Sequence, residues 1–301
     1  MVGSEPPDRI SPVRCVRISA AIPITLLLSG CGRDLYDPAD AARPGPDASG
    51  APQCAWTTPF GPHAVVHVAG GTEFVSTPSL SPDGLALRFL VDRAIFVASR
   101  PRLDAPFGPA TPDMSLLAGL GPVESYYVRD DDLERFIARD VAGMASDLFV
   151  QRRSSVRDPW SPLEPLASIN TAASEWDPFL SPDRLTLWLQ RQSASEITVF
   201  RMRRPRDGAA FGALEPIDLS SAGDDPGTPT LVADGSAVVF SADDRIWYAP
   251  VNGADTVGSP LELIGAEPGV NQFEPFIRPD GCEVFWVRGF PHTLVHARRE
   301  P

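Results

Sequence analysis

Five aspartates recur along this chain at nearly even intervals: Asp83, Asp130, Asp183, Asp234 and Asp280, spaced 47, 53, 51 and 46 residues apart. A carboxylate series of this kind invites a catalytic or metal-binding reading. Yet four of the five sit in copies of one phrase: TPSLSPDG (77–84), DPFLSPDR (177–184), TPTLVADG (228–235) and EPFIRPDG (274–281). ESYYVRDD (124–131) is a worn fifth copy. The phrase has the chemistry of a tight turn. Proline presets φ, glycine tolerates positive φ, and aspartate bonds to nearby backbone N–H groups. The five aspartates are therefore read as structural turn residues.

A second acidic set is better placed for chemistry. The residue before the repeated proline is Thr77, Glu124, Asp177, Thr228 and Glu274, with Ser125 in the proline position of the second copy. Glu124, Asp177 and Glu274 thus open the first strand of three separate units. Converging on a common axis, they could hold a hard cation through oxygen ligands. They could equally line a solvated acidic mouth, or supply the two carboxylates, about 5–10 Å apart, of glycoside hydrolysis. Trp176, beside Asp177, offers an aromatic face at the same place. The histidines number four: His63 and His67 near the first unit, His292 and His296 in the last. One antiparallel register would set 63 opposite 296 and 67 opposite 292. Neutral imidazoles suit zinc or copper. No adjacent Cys or Asp completes a tetrahedron, however, so no metal and no cofactor is assigned. The chain has no G-x-S-x-G elbow and no Walker loop.

The elements around these residues follow from the repeat. Each unit runs from a short apolar strand through the turn into a strand of period-2 alternation: Leu85, Leu87, Phe89; Leu185, Leu187, Leu189; Cys282, Val284, Trp286. A third apolar strand follows, then a Pro/Phe/Gly or Pro/Trp segment such as APFGPA (105–110) or DPWSPLEPL (158–166). Four short strands at a period near fifty make a propeller blade. The last unit stops after its third strand, and TTPFGPHAVVHV (57–68) matches APFGPA. The reading is an all-β, five-bladed β-propeller over residues 54–301, closed by the N-terminal strand. A six-bladed ring with one unrecognised blade is the alternative. In the closed ring Cys54 and Cys282 fall on one rim. A disulfide there would staple the ring by about 4–5 kcal/mol in the chain-entropy model; a free buried pair is the other possibility.

The SPDG phrase resembles the TolB-type, WD-like β-propeller repeats of bacterial envelope proteins, over residues 54–301. The second unit departs from it, with Tyr127-Val128-Arg129-Asp130-Asp131, and the fourth has Val-Ala for Ser-Pro. The resemblance implies a periplasmic interaction platform, some members being propeller domains of larger hydrolases. The N-terminus points the same way. Arg9, Arg14 and Arg17 precede an apolar run, Ile18 to Leu28, that is too short to span a bilayer. It ends in Leu28-Ser29-Gly30-Cys31, which resembles the lipobox of bacterial lipoproteins. The resemblance makes 1–30 a signal peptide and Cys31 the acylated N-terminus of the mature chain. Gly32, by likeness to enterobacterial sorting rules, favours the outer membrane. Residues 31–53, rich in Pro, Ala, Gly and Asp, read as a disordered tether with a reach of about 25–30 Å.

Charge narrows the partners. All 26 basic residues are arginine, net charge is −13, and the repeat region has no basic run. That excludes a nucleic-acid footprint. The expectation is a lipid-anchored, non-catalytic platform facing the periplasm or the cell surface and binding an envelope protein or a glycan. A glycosidase-like enzyme using the channel carboxylates is the alternative. A structural envelope component is a third reading.

Overall fold

A computed structural model describes residues 54–300, apart from 57, 69–72, 114–119, 142–144, 195 and 253–255. The expected signal peptide, Cys31 and tether lie outside the described residues. The described chain begins with β1 (Ala64–Val68), which takes no part in the first blade. Blade 1 is β2 (Val75–Leu80), β3 (Ala86–Val91), β4 (Ala94–Ser99) and β5 (Thr111–Pro112). Blade 2 is β6 (Ser125–Val128), β7 (Glu134–Val141), β8 (Ala145–Arg152) and β9 (Glu164–Pro165). Blade 3 is β10 (Ser174–Leu180), β11 (Thr186–Ser193), β12 (Glu196–Arg203) and β13 (Leu214–Ile217). In blade 4, β14 (Gly227–Leu231), β15 (Ala237–Ala242) and β16 (Arg245–Asn252) are flanked by both β17 (Thr256–Val257) and β18 (Leu261–Ile264). Blade 5 is β19 (Gln272–Ile277), β20 (Glu283–Arg288) and β21 (Thr293–Arg298). Its fourth strand is β1, antiparallel to β21.

The protein is therefore a five-bladed β-propeller closed by its N-terminal strand, and among the described residues there is no sixth blade. Closure removes the exposed edge that β21 would otherwise present. Outer strands are short, and two of them end in proline, which discourages further pairing. Apolar clusters fill the spaces between blades. Leu90, Ile95, Tyr126 and Ile137 join blades 1 and 2, Phe136, Leu148, Leu187 and Leu189 join 2 and 3, and Val239, Ile246, Val284 and Trp286 join 4 and 5. Cys54 and Cys282 form a disulfide on the rim of the turns between first and second strands.

Those turns correct one assignment. Asp83, Asp183, Asp234 and Asp280 each accept the backbone N–H two residues on, from Leu85, Leu185, Ser236 and Cys282, all at 2.9 Å. In blade 2 the equivalent bond, from Leu133 N–H, goes to Asp131 at 3.0 Å and not to Asp130. The left-handed residue that follows is Gly84, Asp132, Arg184, Gly235 and Gly281. Without a proline to anchor it, the second copy is aligned one residue further along than its spelling indicates. Asp131→Ala should thus cost about 1–2 kcal/mol, whereas Asp130→Ala should stay within about 0.5 kcal/mol. Urea midpoints of the two variants distinguish the alignments.

A second repeated device sits on the same rim. The residue after the third strand is Arg100, Arg153, Arg204 and Arg299 in blades 1, 2, 3 and 5. Each Nε donates to the carbonyl of the left-handed turn residue: Gly84, Asp132, Arg184 and Gly281. Each guanidinium lies over an aromatic ring of the segment leading into the blade's outer strand, 4.5 Å from Phe107, 4.4 Å from Trp160, 4.9 Å from Phe211 and 4.6 Å from Phe60. This fixes the approach of the outer strand by a cation–π contact. Blade 4 has Val251 at the arginine position, and Val251 pairs with Val257 across β16 and β17.

Candidate functional site

The inner strands converge on the axis of the ring. Four carry a bulge where the register slips by one residue, between Ser76 and Ser79, Trp176 and Phe179, Gly227 and Thr230, and Phe273 and Phe276. At each bulge the residue before proline is left-handed: Thr77, Asp177, Thr228 and Glu274 have φ of 49°, 49°, 51° and 55°. Left-handed backbone costs a non-glycine residue roughly 1–2 kcal/mol. Such strain persists only where the surroundings enforce it. The enforcing contacts are hydrogen bonds between blades. Thr77 N–H donates to Glu274 Oε2 at 3.2 Å, Asp177 N–H to Ser125 Oγ at 2.7 Å, and Thr228 N–H to Gln190 Oε1 at 3.0 Å.

The throat of the propeller is thus ringed by Thr77, Ser125, Asp177, Thr228 and Glu274. Glu124 is not a member. The one-residue shift in blade 2 gives its place to Ser125, and Glu124 instead meets Arg93 at 2.6 Å, near Asp140. The expected trio of carboxylates is therefore a pair, Asp177 and Glu274. Burial pushes the Asp177 carboxyl up to about 6, against the hydrogen bonds from Thr228 and Ser125. Glu274 is raised further above the carboxylate range, by burial first and then by the charge of Asp177. Thr228 Oγ1 donates to Asp177 Oδ2 at 3.1 Å.

Beside Asp177 lies a pocket of about 20 Å³, lined by Thr77, Thr228 and Thr230 and, for the most part, by prolines, Phe179, Phe276, Tyr126 and Tyr127. That is room for one water molecule. The hydroxyls of Thr77 and Thr230 are buried there without a hydrogen-bond partner. Trp176 points elsewhere and packs on the apolar cluster between blades 2 and 3.

The histidines do not assemble. Ala64, not His63, faces His296, and a bulge between Val65 and His67 shifts the register once more, so His67 faces Leu294. His63 meets the edge of Trp286, His67 tilts against Phe89, and His296 Nδ1 lies 2.7 Å from Glu283. Among the described residues no group of three or more His, Cys, Asp or Glu is placed to hold a metal ion.

His292 is the centre of a feature that sequence reasoning missed. It accepts the N–H of Val75 on Nδ1 at 3.1 Å, and three phenylalanines surround it: Phe74 at 4.6 Å, Phe273 at 5.2 Å and Phe290 at 5.8 Å. Burial holds its imidazole below the usual range, in the neutral form. Phe290 is 75% exposed and Phe74 52%. The shelf spans the seam of blades 5 and 1, on the face that carries the turns between second and third strands. Its members come from three separate stretches of chain, so only the aromatic residues at strand starts hinted at it.

No protein-family model matches the chain, and no curated protein matches it by sequence. Solved structures do resemble it. An endo-arabinase from Bacteroides thetaiotaomicron is 12% identical with a TM-score of 0.52, over 79% of this chain and 96% of that one. A thermostable family-43 glycoside hydrolase is 11% identical with a TM-score of 0.52, over 78% of this chain and 92% of that one. TolB from Acinetobacter baumannii is 12% identical with a TM-score of 0.45, over 76% of this chain, which spans only 56% of that protein. The likeness is one of fold. The class it defines is the β-propeller.

Proposed function

We propose that this chain is a non-catalytic binding platform of the cell envelope, presenting the face around His292 to a protein partner. The aromatic shelf carries the reading. Contiguous exposed aromatic side chains mark contact surfaces, and aromatics are enriched at interfaces. Phenylalanine, with no polar handle, suits an apolar protein segment better than a glycan. Net charge of −13 steers the partner toward a neutral or basic surface. The anchor through Cys31, the tether of 31–53 and an outer-membrane location belong to the same proposal.

The glycosidase-like alternative draws on Asp177 and Glu274. The pocket beside Asp177 measures only about 20 Å³, and Glu274 does not line it, which favours the platform. The test is photo-crosslinking in native cells. A crosslinkable residue at Phe290 should capture one dominant protein. The same residue at Leu103, which lies in the connection between the third and fourth strands on the opposite rim, should capture none. Equal capture from both positions, or none from Phe290 with the protein folded, would overturn the reading.

A further inference from the structure

The net charge of −13 is not spread evenly over the surface. On the rim of the turns between first and second strands, acids meet arginines: Asp104 pairs with Arg102, Asp131 with Arg129, Asp132 with Arg153 and Asp207 with Arg204. On the face that carries the aromatic shelf the arginines are already committed, Arg93 to Glu124, Arg191 to Glu175, Arg245 to Glu262 and Arg288 to Glu267. A surplus of carboxylates is left over. Asp92, Asp218, Asp224, Asp225, Asp243 and Asp244 are exposed on that face and make no ion pair among the described residues. They belong to turns between second and third strands or to connections between blades. Asp92 Oδ1 accepts Phe74 N–H at 2.9 Å, which sets a carboxylate at the edge of the shelf. Asp243 N–H donates to the Asp224 carbonyl at 3.3 Å, so 224–225 and 243–244 form one patch on blade 4, beside the blade that carries Phe273 and Phe290. Among the described residues these acids are not placed to hold a metal ion.

We propose that the shelf receives a basic, amphipathic protein segment, with its apolar side chains on Phe74, Phe273 and Phe290 and its cationic ones over Asp92 and the aspartates of blade 4. The inference rests on the platform reading and gives its partner a chemistry. Unpaired like charges gathered on one face repel one another, and a cationic segment laid across them relieves that repulsion. The two parts of the surface do different work. Exposed ion pairs add little affinity but speed encounter and fix orientation. Desolvated aromatic anchors supply the hold. An acidic segment or an anionic membrane is repelled from the same face. The patch and the shelf are separated by part of blade 5, so the segment lies across the end of that blade.

Fluorescence anisotropy tests this with the full chain and two labelled synthetic peptides of helical amphipathic spacing, one of leucine and lysine, the other of leucine and glutamate. The lysine peptide should bind, more weakly as salt rises, and the glutamate peptide should not. Asp224→Asn/Asp225→Asn/Asp243→Asn/Asp244→Asn should weaken binding about tenfold. Asp225, Asp243 and Asp244 have left-handed backbone, where asparagine is well tolerated, so the fold is retained. Phe290→Ser, at an exposed position, should also weaken binding about tenfold. Asp104→Asn/Asp158→Asn, on the opposite rim, should leave it unchanged. A thermal melt of each variant confirms folding. Equal binding of both peptides, lost with Phe290→Ser, overturns the basic partner and leaves the shelf standing. Binding that ignores Phe290→Ser overturns the shelf itself. A lysine peptide that does not bind, or binds the fourfold variant as tightly as the wild-type chain, overturns the proposal.

Discussion

Glu283→Ala is expected to remove about 3–5 kcal/mol of stability, the cost of leaving buried cations unpaired. Glu283 opens β20 and is fully buried. Arg100 of blade 1 clasps it in a bidentate pair, Nη1 to Oε1 at 2.9 Å and Nη2 to Oε2 at 2.8 Å, while Arg298 Nε reaches Oε1 at 2.8 Å. The pair bridges blades 1 and 5. Burial alone would raise the carboxyl, but the bonds from His296, Arg100 and Arg298 outweigh it and hold Glu283 at about 2. A depressed carboxyl stabilises the fold above its unfolded value and loses that contribution as pH falls through the folded value. The window therefore runs from about pH 4.5 down to 2, and roughly 3 kcal/mol fades across it. Guanidinium unfolding of wild type at pH 7 and pH 3, beside Glu283→Ala at pH 7, measures both. The double variant Glu283→Leu/Arg100→Met should recover most of the loss, since a buried pair replaced by packed apolar groups is often neutral. If the double variant is as unstable as the single, unpaired charge is not the cause.

Removing the disulfide should cost a similar amount by a different route. Cys54 and Cys282 are 228 residues apart, so the bond closes almost the entire ring. The chain-entropy model gives about 5 kcal/mol for a loop of that length. Cys54→Ser/Cys282→Ser should lower the guanidinium midpoint accordingly. In hydrogen exchange, protection should fall first in β1, whose attachment to β21 the bond secures. A loss below about 1 kcal/mol would mean that strand pairing alone keeps the ring shut. Both changes act on blade 5, so their effects should not add.

Much of this architecture was legible because the Pro-Asp-Gly turn recurs and the missing last strand had a match at the N-terminus. The errors have one source each. Lacking proline, the second copy was aligned on Asp130 and Glu124, where the backbone uses Asp131 and Ser125. The histidine register was off by one residue at Ala64 and His296, and a bulge between Val65 and His67, which leaves no mark in the sequence, added a second. The bulges that shape the throat were hidden for a stronger reason. Sterics bias a residue before proline toward extended backbone, so nothing in Thr77-Pro78 or Asp177-Pro178 announces a left-handed turn. The rim arginines were visible in each unit but the fourth. Only the packing of neighbouring blades shows that they are buried structure and not surface charge.

Closure by β1 also orders events in time. The strand that completes blade 5 is synthesised first among the described elements, and its partner β21 last. Until residues 293–298 are delivered, residues 64–68 have no edge to pair with, and the ring cannot shut. Blades 1 to 4 can each assemble as they emerge, from contacts within a few tens of residues. The final step joins β1 to β21, and long-range pairing of that kind is slow and exposes unpaired strands meanwhile. A chain cut short of Thr293 would therefore hold four blades and an open arc, and the fold becomes a ring only once β21 is present.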